Sequence, residues 1–426
     1  MNRLITTFLP HIFRWSLSLS TIAALAQEPQ SPPKPLQTEQ QRQWRAQIRS
    51  ALFVPDPLPP LHAQSHGKFE PTPDVIAERI TYQTQFGLRV PAILYLPKSH
   101  CGKLPALIVV NGHGGDKYSW YAFYSGVMYA RGGAAVLTYD PIGEGERNAE
   151  RKSGTRAHDK VLMPDEMGRR MGGLMMTDVM QAVSYLRDRP EVDPSRIGAM
   201  GYSMGSFILA LAGAADERFK TCVLTGGGNL DGPSEYWDNS KPMCQGLPYQ
   251  ALSFLGDRPA AIYALHATRG PTLIFNGLAD TVVAIPTHAE PFFHDLRRRT
   301  AALLKSTDGV FDYCLIPEIS HRPFFVTGDV ARWLEKQLDF PNWTTASIEN
   351  MPTTHVSAWA AANNVAMDRG YIAEDREGGT PALAEGVPGL SREQLSVLSA
   401  DEWQRRKTEF TYESWVEKAR AAIESP

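Results

Sequence analysis

The sequence lacks a surplus of charge of either sign. Its 426 residues include 43 Lys and Arg against 46 Asp and Glu, so the formal net charge is 43 − 46 = −3. Proteins that bind nucleic acid usually carry a basic surplus or stripe, which is missing here. No internal hydrophobic run approaches the roughly 20 apolar residues of a membrane-spanning helix. The composition therefore predicts a globular protein with no nucleic-acid partner and no internal membrane span.

Cysteine is also scarce. The four cysteines have no zinc-binding spacing, and the sequence contains neither a phosphate-binding loop nor a dinucleotide-binding fingerprint. We therefore predict no metal site and no cofactor. Cys222 and Cys314 lie in apolar, strand-like runs, which favours free buried thiols. The sequence leaves any disulfide pairing open.

The first 26 residues have the pattern of an export signal. Arg3 and Arg14 supply positive charge, a short apolar run follows, and Ala24 and Ala26 have the small-x-small form of a cleavage site. The alternative is an N-terminal membrane anchor, but the apolar run is short and a polar, proline-rich stretch follows it at once. We predict cleavage after Ala26, no stable membrane anchor afterwards, and a secreted or periplasmic protein.

A dense alternation of strand and helix patterns fills residues 75–340. It opens with two alternating runs, 78–85 and 88–96, which predict a β-hairpin. Continuous apolar runs then alternate with helical periodicity, which is typical of a sheet buried on both faces. We therefore predict an α/β fold with a mostly parallel central sheet and helices on both faces, forming one domain.

Three segments depart from this alternation. Residues 27–74 are predicted to be a linker and N-terminal extension with a helix over 41–53. Residues 341–426 are predicted to be a C-terminal extension, with a helix over 393–425. Residues 229–256 are rich in glycine, proline and aromatic residues. This segment could be a cap or loop insertion beside a functional site, or it could be an excursion into solvent. The sequence does not choose between these two interpretations.

The motif Gly-Tyr-Ser-Met-Gly at 201–205 lies between a predicted strand and a predicted helix. A serine at such a sharp turn, flanked by glycines, is typical of a nucleophile elbow. The N-terminus of the following helix adds partial positive charge near a developing oxyanion. We therefore predict that Ser203 is a nucleophile.

A serine nucleophile needs a base that is held by an acid. Asp280 and His321 each follow a predicted strand, in the chain order that this arrangement requires. Asp280 could instead cap a helix, and His321 could be an ordinary surface imidazole. Asp231 and Glu318 are the rival acids.

The glycine-rich loop at 111–116 follows a buried strand, so its backbone N–H groups can face a substrate oxygen. We predict that the N–H groups of Met204 and Gly115 form the oxyanion hole, with Gly114 as the substitute for Gly115. The alternative is a tight turn that needs glycine for its backbone angles. Three side chains are predicted to contact the substrate: His113 in this loop, Tyr202 in the 201–205 motif and Trp237 in the 229–256 segment.

Together these motifs resemble the α/β-hydrolase superfamily over about residues 78–338. The closer resemblance is to its bacterial acetyl xylan esterase-like and dienelactone hydrolase-like branch. It is carried by NGHGGDK (111–117), YDPIGEGER (139–147), RPEVDPSRIGAMGYSMG (189–205), NGLADTVV (276–283) and the region of His321. The resemblance implies a triad of Ser203, Asp280 and His321, although dienelactone hydrolases proper use a cysteine nucleophile.

The expected function is that of an exported serine carboxylic-ester hydrolase acting through an acyl-enzyme. By resemblance, its substrate is a small-molecule or carbohydrate ester such as an acetylated polysaccharide. A prolyl oligopeptidase-like serine peptidase or amidase is the main alternative, since the same triad serves both reactions. A non-catalytic binding protein on the same scaffold is the third. The sequence does not indicate an oligomeric state.

Overall fold

The description that follows rests on a computed structural model and covers residues 38–230, 236–317, 319–322, 325–350, 379–380 and 386–424. The predicted signal peptide over residues 1–26 lies outside these ranges. No helix within them is both long and apolar enough to cross a membrane.

The strands of the described chain form a single sheet. In chain order they are β1 (Gln64–Thr72), β2 (Val75–Gln83), β3 (Arg89–Pro97), β4 (Leu104–Val110), β5 (Ala135–Tyr139), β6 (Val192–Tyr202), β7 (Thr221–Thr225), β8 (Thr272–Gly277) and β9 (Asp312–Ile316). Their spatial order is β1-β2-β3-β5-β4-β6-β7-β8-β9. Three neighbouring pairs, β1–β2, β2–β3 and β3–β5, are antiparallel. All other neighbouring pairs, from β5–β4 to β8–β9, are parallel. The predicted hairpin is confirmed, with Gln83 opposite Arg89.

Helices cover both faces of the sheet. They are α1 (Glu39–Ala51), α2 (Trp120–Arg131), α3 (Asp165–Arg187), α4 (Met204–Ala215), α5 (Leu247–Gln250), α6 (Arg258–Arg269), α7 (Ile285–Leu304), α8 (Gly328–Leu338), α9 (Thr345–Glu349), α10 (Arg392–Leu395), α11 (Ala400–Arg406) and α12 (Tyr412–Glu424). Two separate apolar clusters lie between helices and sheet. One contains side chains of α3 and α4, and the other contains side chains of α2 and α8. The predicted sheet with helices on both faces is confirmed.

The chain reverses its direction of travel across the sheet at β4. From β4 it moves to β5 on one side, and then crosses to β6 on the other. Ligands of open α/β sheets bind outside the carboxyl ends of the strands at such a reversal. The loops that follow β4 and β6 therefore meet at the edge where a site is expected.

Residues 38–74 differ from the predicted linker. The predicted helix is present as α1, where the buried Arg45 guanidinium donates to the Leu265 carbonyl at 2.9 Å. Strand β1 pairs along β2 and forms the edge of the sheet. Most of its side chains are exposed, so it has no apolar alternation from which a strand could be predicted.

The C-terminal extension is attached to the α/β unit by hydrogen bonds. The N–H groups of Val397 and Leu398 donate to the Glu146 carboxylate at 2.8 and 2.9 Å. The Trp403 indole donates to the Glu146 carbonyl at 2.8 Å. The helix predicted over 393–425 is divided into α10, α11 and α12.

The described part of the 229–256 segment is packed, which contradicts a solvated excursion. Trp237 is fully buried and stacks on Phe207 with ring centroids 5.2 Å apart. Cys244 and Tyr249 are also fully buried. The segment approaches α3 closely, because Gly168 and Gly172 have no side chains where Leu247 and Pro248 pack.

Candidate active site

Ser203 occupies a sharp turn between β6 and α4. Its backbone angles are φ 55° and ψ −118°, which are uncommon for a residue with a side chain. Its N–H donates to the Thr225 carbonyl at 2.9 Å, which helps to hold this conformation. Gly205 lies so close to the Val110 carbonyl that any side chain there would collide with it. The turn leaves the Ser203 side chain partly exposed at the strand ends.

His321 lies between Ser203 and Asp280. Its Nε2 is 2.9 Å from Ser203 Oγ, and its Nδ1 is 2.7 Å from Asp280 Oδ2. This geometry fits a serine hydroxyl that donates to the imidazole and an imidazole N–H that donates to the carboxylate. The structure therefore brings the three predicted residues into one hydrogen-bonded chain. The rival acids Asp231 and Glu318 lie outside the described residues.

Asp280 is held from both sides. Its Oδ1 accepts from the Val282 and Val283 N–H groups at 3.0 and 3.3 Å. Residues 281–284 form a turn, and α7 begins only at Ile285, so Asp280 caps this turn and not the helix considered as an alternative. The loop before Asp280 is tied to the segment that carries His321, since Ala279 N–H donates to the Ile319 carbonyl at 2.9 Å. These bonds bring two distant parts of the chain together.

The predicted oxyanion donor Gly115 is otherwise engaged. Its N–H donates to the Gly112 carbonyl at 2.9 Å and closes a tight turn. The N–H groups of His113 and Gly114 make no hydrogen bond in the ranges described. Gly112 lies against Ser203, because a Cβ built on it would be 3.1 Å from the serine Cβ. The His113 N–H, directly after Gly112, therefore replaces Gly115 as the better candidate.

Met204 remains a candidate for the other donor. It is the first residue of α4, so its N–H has no acceptor within the helix. It directly follows the serine, where the positive end of the helix dipole lies.

The structure separates the three predicted substrate contacts. Tyr202 lies at the site, with its ring centroid 5.0 Å from that of His321, and burial raises its pKa so that the phenol stays neutral. The His113 side chain contacts Cys244, with Nε2 3.0 Å from Sγ. Trp237 is buried in the core and cannot contact a substrate in this conformation, because its ring packs on Phe207.

A buried ion cluster formed by Lys117, Asp140 and Glu146 supports the loop. Lys117 Nζ is 2.5 Å from Asp140 Oδ2 and 2.8 Å from Glu146 Oε2. Burial by itself would lower the pKa of Lys117, but the two carboxylates outweigh it and raise that pKa. The sequence did not reveal Lys117 as the partner of Asp140, because the two residues are 23 positions apart.

Comparisons with known proteins extend these observations. The acetyl xylan esterase family model matches residues 68–225, and the prolyl oligopeptidase family model matches residues 164–347. The solved structure of methylesterase BT1017 covers 91% of this chain and 76% of its own, with a TM-score of 0.56 and 19% identity. The chain belongs to the α/β-hydrolase superfamily. The acetyl xylan esterase match supports the esterase-like branch that the motifs predicted.

Other known proteins are similar over parts of the chain. The hydrolase-like protein YtaP of Bacillus subtilis is 28% identical over 195 residues, which are 42% of this chain and 63% of that protein. Feruloyl esterase B of Thermothelomyces thermophilus is 24% identical over 219 residues, 49% of this chain and 71% of that protein. The chain spans 63%, 35% and 21% of the length of three curated relatives, less than two thirds of each.

Proposed function

We propose that this α/β-hydrolase is an exported serine carboxylic-ester hydrolase. The observation that carries the proposal is the hydrogen-bonded chain from Asp280 through His321 to Ser203, which spans two contacts of 2.7 and 2.9 Å. An imidazole between a carboxylate and a serine hydroxyl is the arrangement that activates serine for attack on a carbonyl carbon.

In the first half of the reaction, Ser203 Oγ attacks the ester carbonyl while His321 Nε2 takes the hydroxyl proton. Asp280 holds the imidazole in the required tautomer and stabilises its cation. The Met204 and His113 backbone N–H groups stabilise the tetrahedral oxyanion. The carbon–oxygen bond to the alcohol then breaks, and His321 gives its proton to the departing alcohol.

In the second half, water replaces the alcohol. His321 takes a proton from the water as it attacks the acyl-enzyme, and a second tetrahedral intermediate forms in the same oxyanion hole. Its collapse releases the carboxylic acid and returns the proton to Ser203 Oγ. Apart from the ester and water, the proposed cycle uses only residues of this chain.

The proposed substrate is an esterified carbohydrate, with an acetyl group as the first choice. The acetyl xylan esterase match over residues 68–225 and the likeness to a feruloyl esterase support this class. The export pattern of residues 1–26 supports a substrate outside the cytoplasm. Sequencing the mature N-terminus after expression in a bacterial host tests export, with Gln27 expected as the first residue.

The central test is hydrolysis of p-nitrophenyl esters from acetyl to octanoyl, and of acetylated xylan, by wild type, Ser203→Ala and Ser206→Ala. Ser206 lies one helical turn away and is buried, so it is the matched control. We expect serine-dependent release of short acyl groups and of acetate from xylan. Activity on model esters alone would keep the mechanism and remove the xylan substrate.

A peptidase or amidase is the second candidate, since the prolyl oligopeptidase family model matches residues 164–347. Serine-dependent cleavage of short peptides with no ester hydrolysis would favour it over the esterase. A fluorophosphonate probe separates both enzymes from a non-catalytic binding protein. The binding protein predicts that wild type is not labelled, whereas either enzyme predicts labelling that Ser203→Ala removes.

A further inference from the structure

Four side chains with metal-binding chemistry meet behind the glycine-rich loop. They are His113 from that loop, His158 and Asp159 from the short helical turn at 157–159, and Cys244 from the helical turn at 242–246. One donor atom from each lies within 4.8 Å of the other three. The cluster combines two imidazoles, one carboxylate and one thiol, and it is separate from the Ser203, Asp280 and His321 chain.

Three of the four separations within the cluster match those of a tetrahedral zinc site, and the fourth, from His113 Nε2 to Cys244 Sγ, is shorter. The separations are 3.0 Å from His113 Nε2 to Cys244 Sγ, 3.4 Å from His113 Nε2 to Asp159 Oδ2, and 3.5 Å from Cys244 Sγ to Asp159 Oδ1. His158 Nε2 lies 3.7 Å from Asp159 Oδ1. The contacts of Asp159 involve both of its carboxylate oxygens. Tetrahedral zinc with bonds of about 2.0–2.3 Å sets its ligand atoms roughly 3.3–3.8 Å apart.

The hydrogen bonding of the cluster is incomplete. His158 is fully buried, and the Ile142 backbone is a hydrogen-bonding group beside its ring. Its Nε2 makes no hydrogen bond among the described residues and lies 3.7 Å from Asp159 Oδ1. Its Nδ1 lies on the side of Gly143, since a Cβ built on that glycine would be 3.7 Å away. A buried ring nitrogen without a hydrogen bond is costly, and a metal ion bound at Nε2 would remove that cost.

We propose that His113, His158, Asp159 and Cys244 form a binding site for Zn²⁺. Two nitrogens, one oxygen and one sulfur are ligands that zinc accepts, and thiolate disfavours Mg²⁺ and Ca²⁺. The charges also balance, because a thiolate and a carboxylate neutralise a divalent cation at this buried position. Binding releases the thiol proton to solvent.

Four protein ligands leave no open position, so the site is structural. It joins the loop at 111–117 to the turn at 157–159 and to the segment at 236–256. One consequence rests on the proposed function, because His113 also carries the backbone N–H assigned to the oxyanion hole. Zinc binding itself does not depend on that assignment, so the two can fail separately.

The first test measures metal content of the full chain. The protein is stripped with a chelator, dialysed, loaded with Zn²⁺, passed through a gel-filtration column and analysed by mass spectrometry for metal. We expect about one zinc ion per chain and a higher melting temperature than that of the stripped protein. Loss of the zinc on the column, or an unchanged melting temperature, would overturn the proposal.

The second test identifies the ligands. Co²⁺ bound to the wild type should give a thiolate charge-transfer band in the near ultraviolet and strong visible bands of tetrahedral cobalt. Cys244→Ser should lose the charge-transfer band, and His158→Asn should weaken Zn²⁺ binding by at least about 100-fold in competition with a chelating dye.

The matched controls are Cys101→Ser and His294→Asn, which change an exposed cysteine and an exposed histidine. Both should bind zinc as wild type does. Equal binding by Cys244→Ser and Cys101→Ser would overturn the proposed ligand set. Circular dichroism shows whether the variants fold, and the cobalt spectrum of the wild type stays decisive if they do not.

Discussion

Two polar clusters meet the loop that follows β4, and they differ in their access to solvent. In the Ser203, Asp280 and His321 chain, the His321 side chain is 14% exposed and Asp280 is fully buried. In the cluster of Lys117, Asp140 and Glu146, every side chain is fully buried. Both clusters join side chains that are distant in sequence.

This difference in burial decides what each cluster can do. The buried cluster pairs each charge with a counter-ion and with N–H groups, since Asp140 accepts from the Lys117 and Glu146 backbone at 3.2 and 2.8 Å. Such a cluster stabilises two loops and leaves no group free to react. The serine chain holds a proton that can move toward an imidazole at a surface that a substrate can reach. Four substitutions, given in order of decreasing expected effect, test how burial separates an effect on stability from an effect on activity.

Ser203→Ala should remove activity and keep stability. Without the nucleophile, kcat on a p-nitrophenyl ester should fall by at least about 10⁴-fold, because a triad acts as a unit. The midpoint of urea unfolding should change little, since the side chain is small and partly exposed. Equal losses of activity in Ser203→Ala and Ser206→Ala would break the contrast.

Lys117→Met should have the opposite effect. It leaves Asp140 buried without its cation and leaves Glu146 with Arg151 alone, so the free energy of unfolding should fall by about 3–5 kcal/mol in urea titrations. The control is Lys98→Met, which breaks a half-exposed pair with Glu70 and should cost less than about 1 kcal/mol. Similar losses in both variants would show that burial is not the source of the effect.

Trp237→Phe should sharpen the boundary between core and site. Loss of part of a buried indole should lower the free energy of unfolding by about 1–3 kcal/mol, with KM unchanged. Tyr202→Phe is the comparison, since its ring lies beside His321 and its hydroxyl donates to the His321 carbonyl at 3.4 Å. We expect Tyr202→Phe to change the ester kinetics more than the stability. A KM change confined to Trp237→Phe would restore its predicted role as a substrate contact.

His266→Gln should alter the pH dependence of stability. Burial and then Arg269 lower the pKa of His266 well below its ordinary value of 6.5, so the folded protein keeps this imidazole neutral. The unfolded chain binds a proton there below pH about 6.5, so the free energy of unfolding falls as the pH drops, by up to about 1.4 kcal/mol per pH unit. His266→Gln should reduce this slope by up to about 1.4 kcal/mol per pH unit, which is the contribution of one proton.

The control for that measurement is His294→Gln. The slope is measured between pH 4.5 and 6.5, where the unfolded chain takes up a proton at position 266. His294 is 68% exposed, so His294→Gln should leave this slope as it is in wild type. Equal slopes in wild type, His266→Gln and His294→Gln would mean that this buried histidine does not contribute to the acid sensitivity.

The sequence alone was enough to predict the class of fold and to single out the three residues that the structure joins by hydrogen bonds. Both are local signals, because hydrophobic periodicity follows from the geometry of each element and each site residue directly follows a predicted strand. Ser203, Asp280 and His321, and their order along the chain, could therefore be predicted without knowledge of any tertiary contact.

The other features of the site and its surroundings depend on tertiary contacts, which the sequence does not reveal. The tertiary structure engaged the Gly115 N–H in a turn, packed Trp237 into the core and paired Lys117 with two distant carboxylates. It also gathered His113, His158, Asp159 and Cys244, whose spacing along the chain resembles no metal motif. These contacts join segments up to 131 positions apart, as from His113 to Cys244. Local patterns cannot encode them, because they depend on which distant segments the packing of the sheet and its helices brings together.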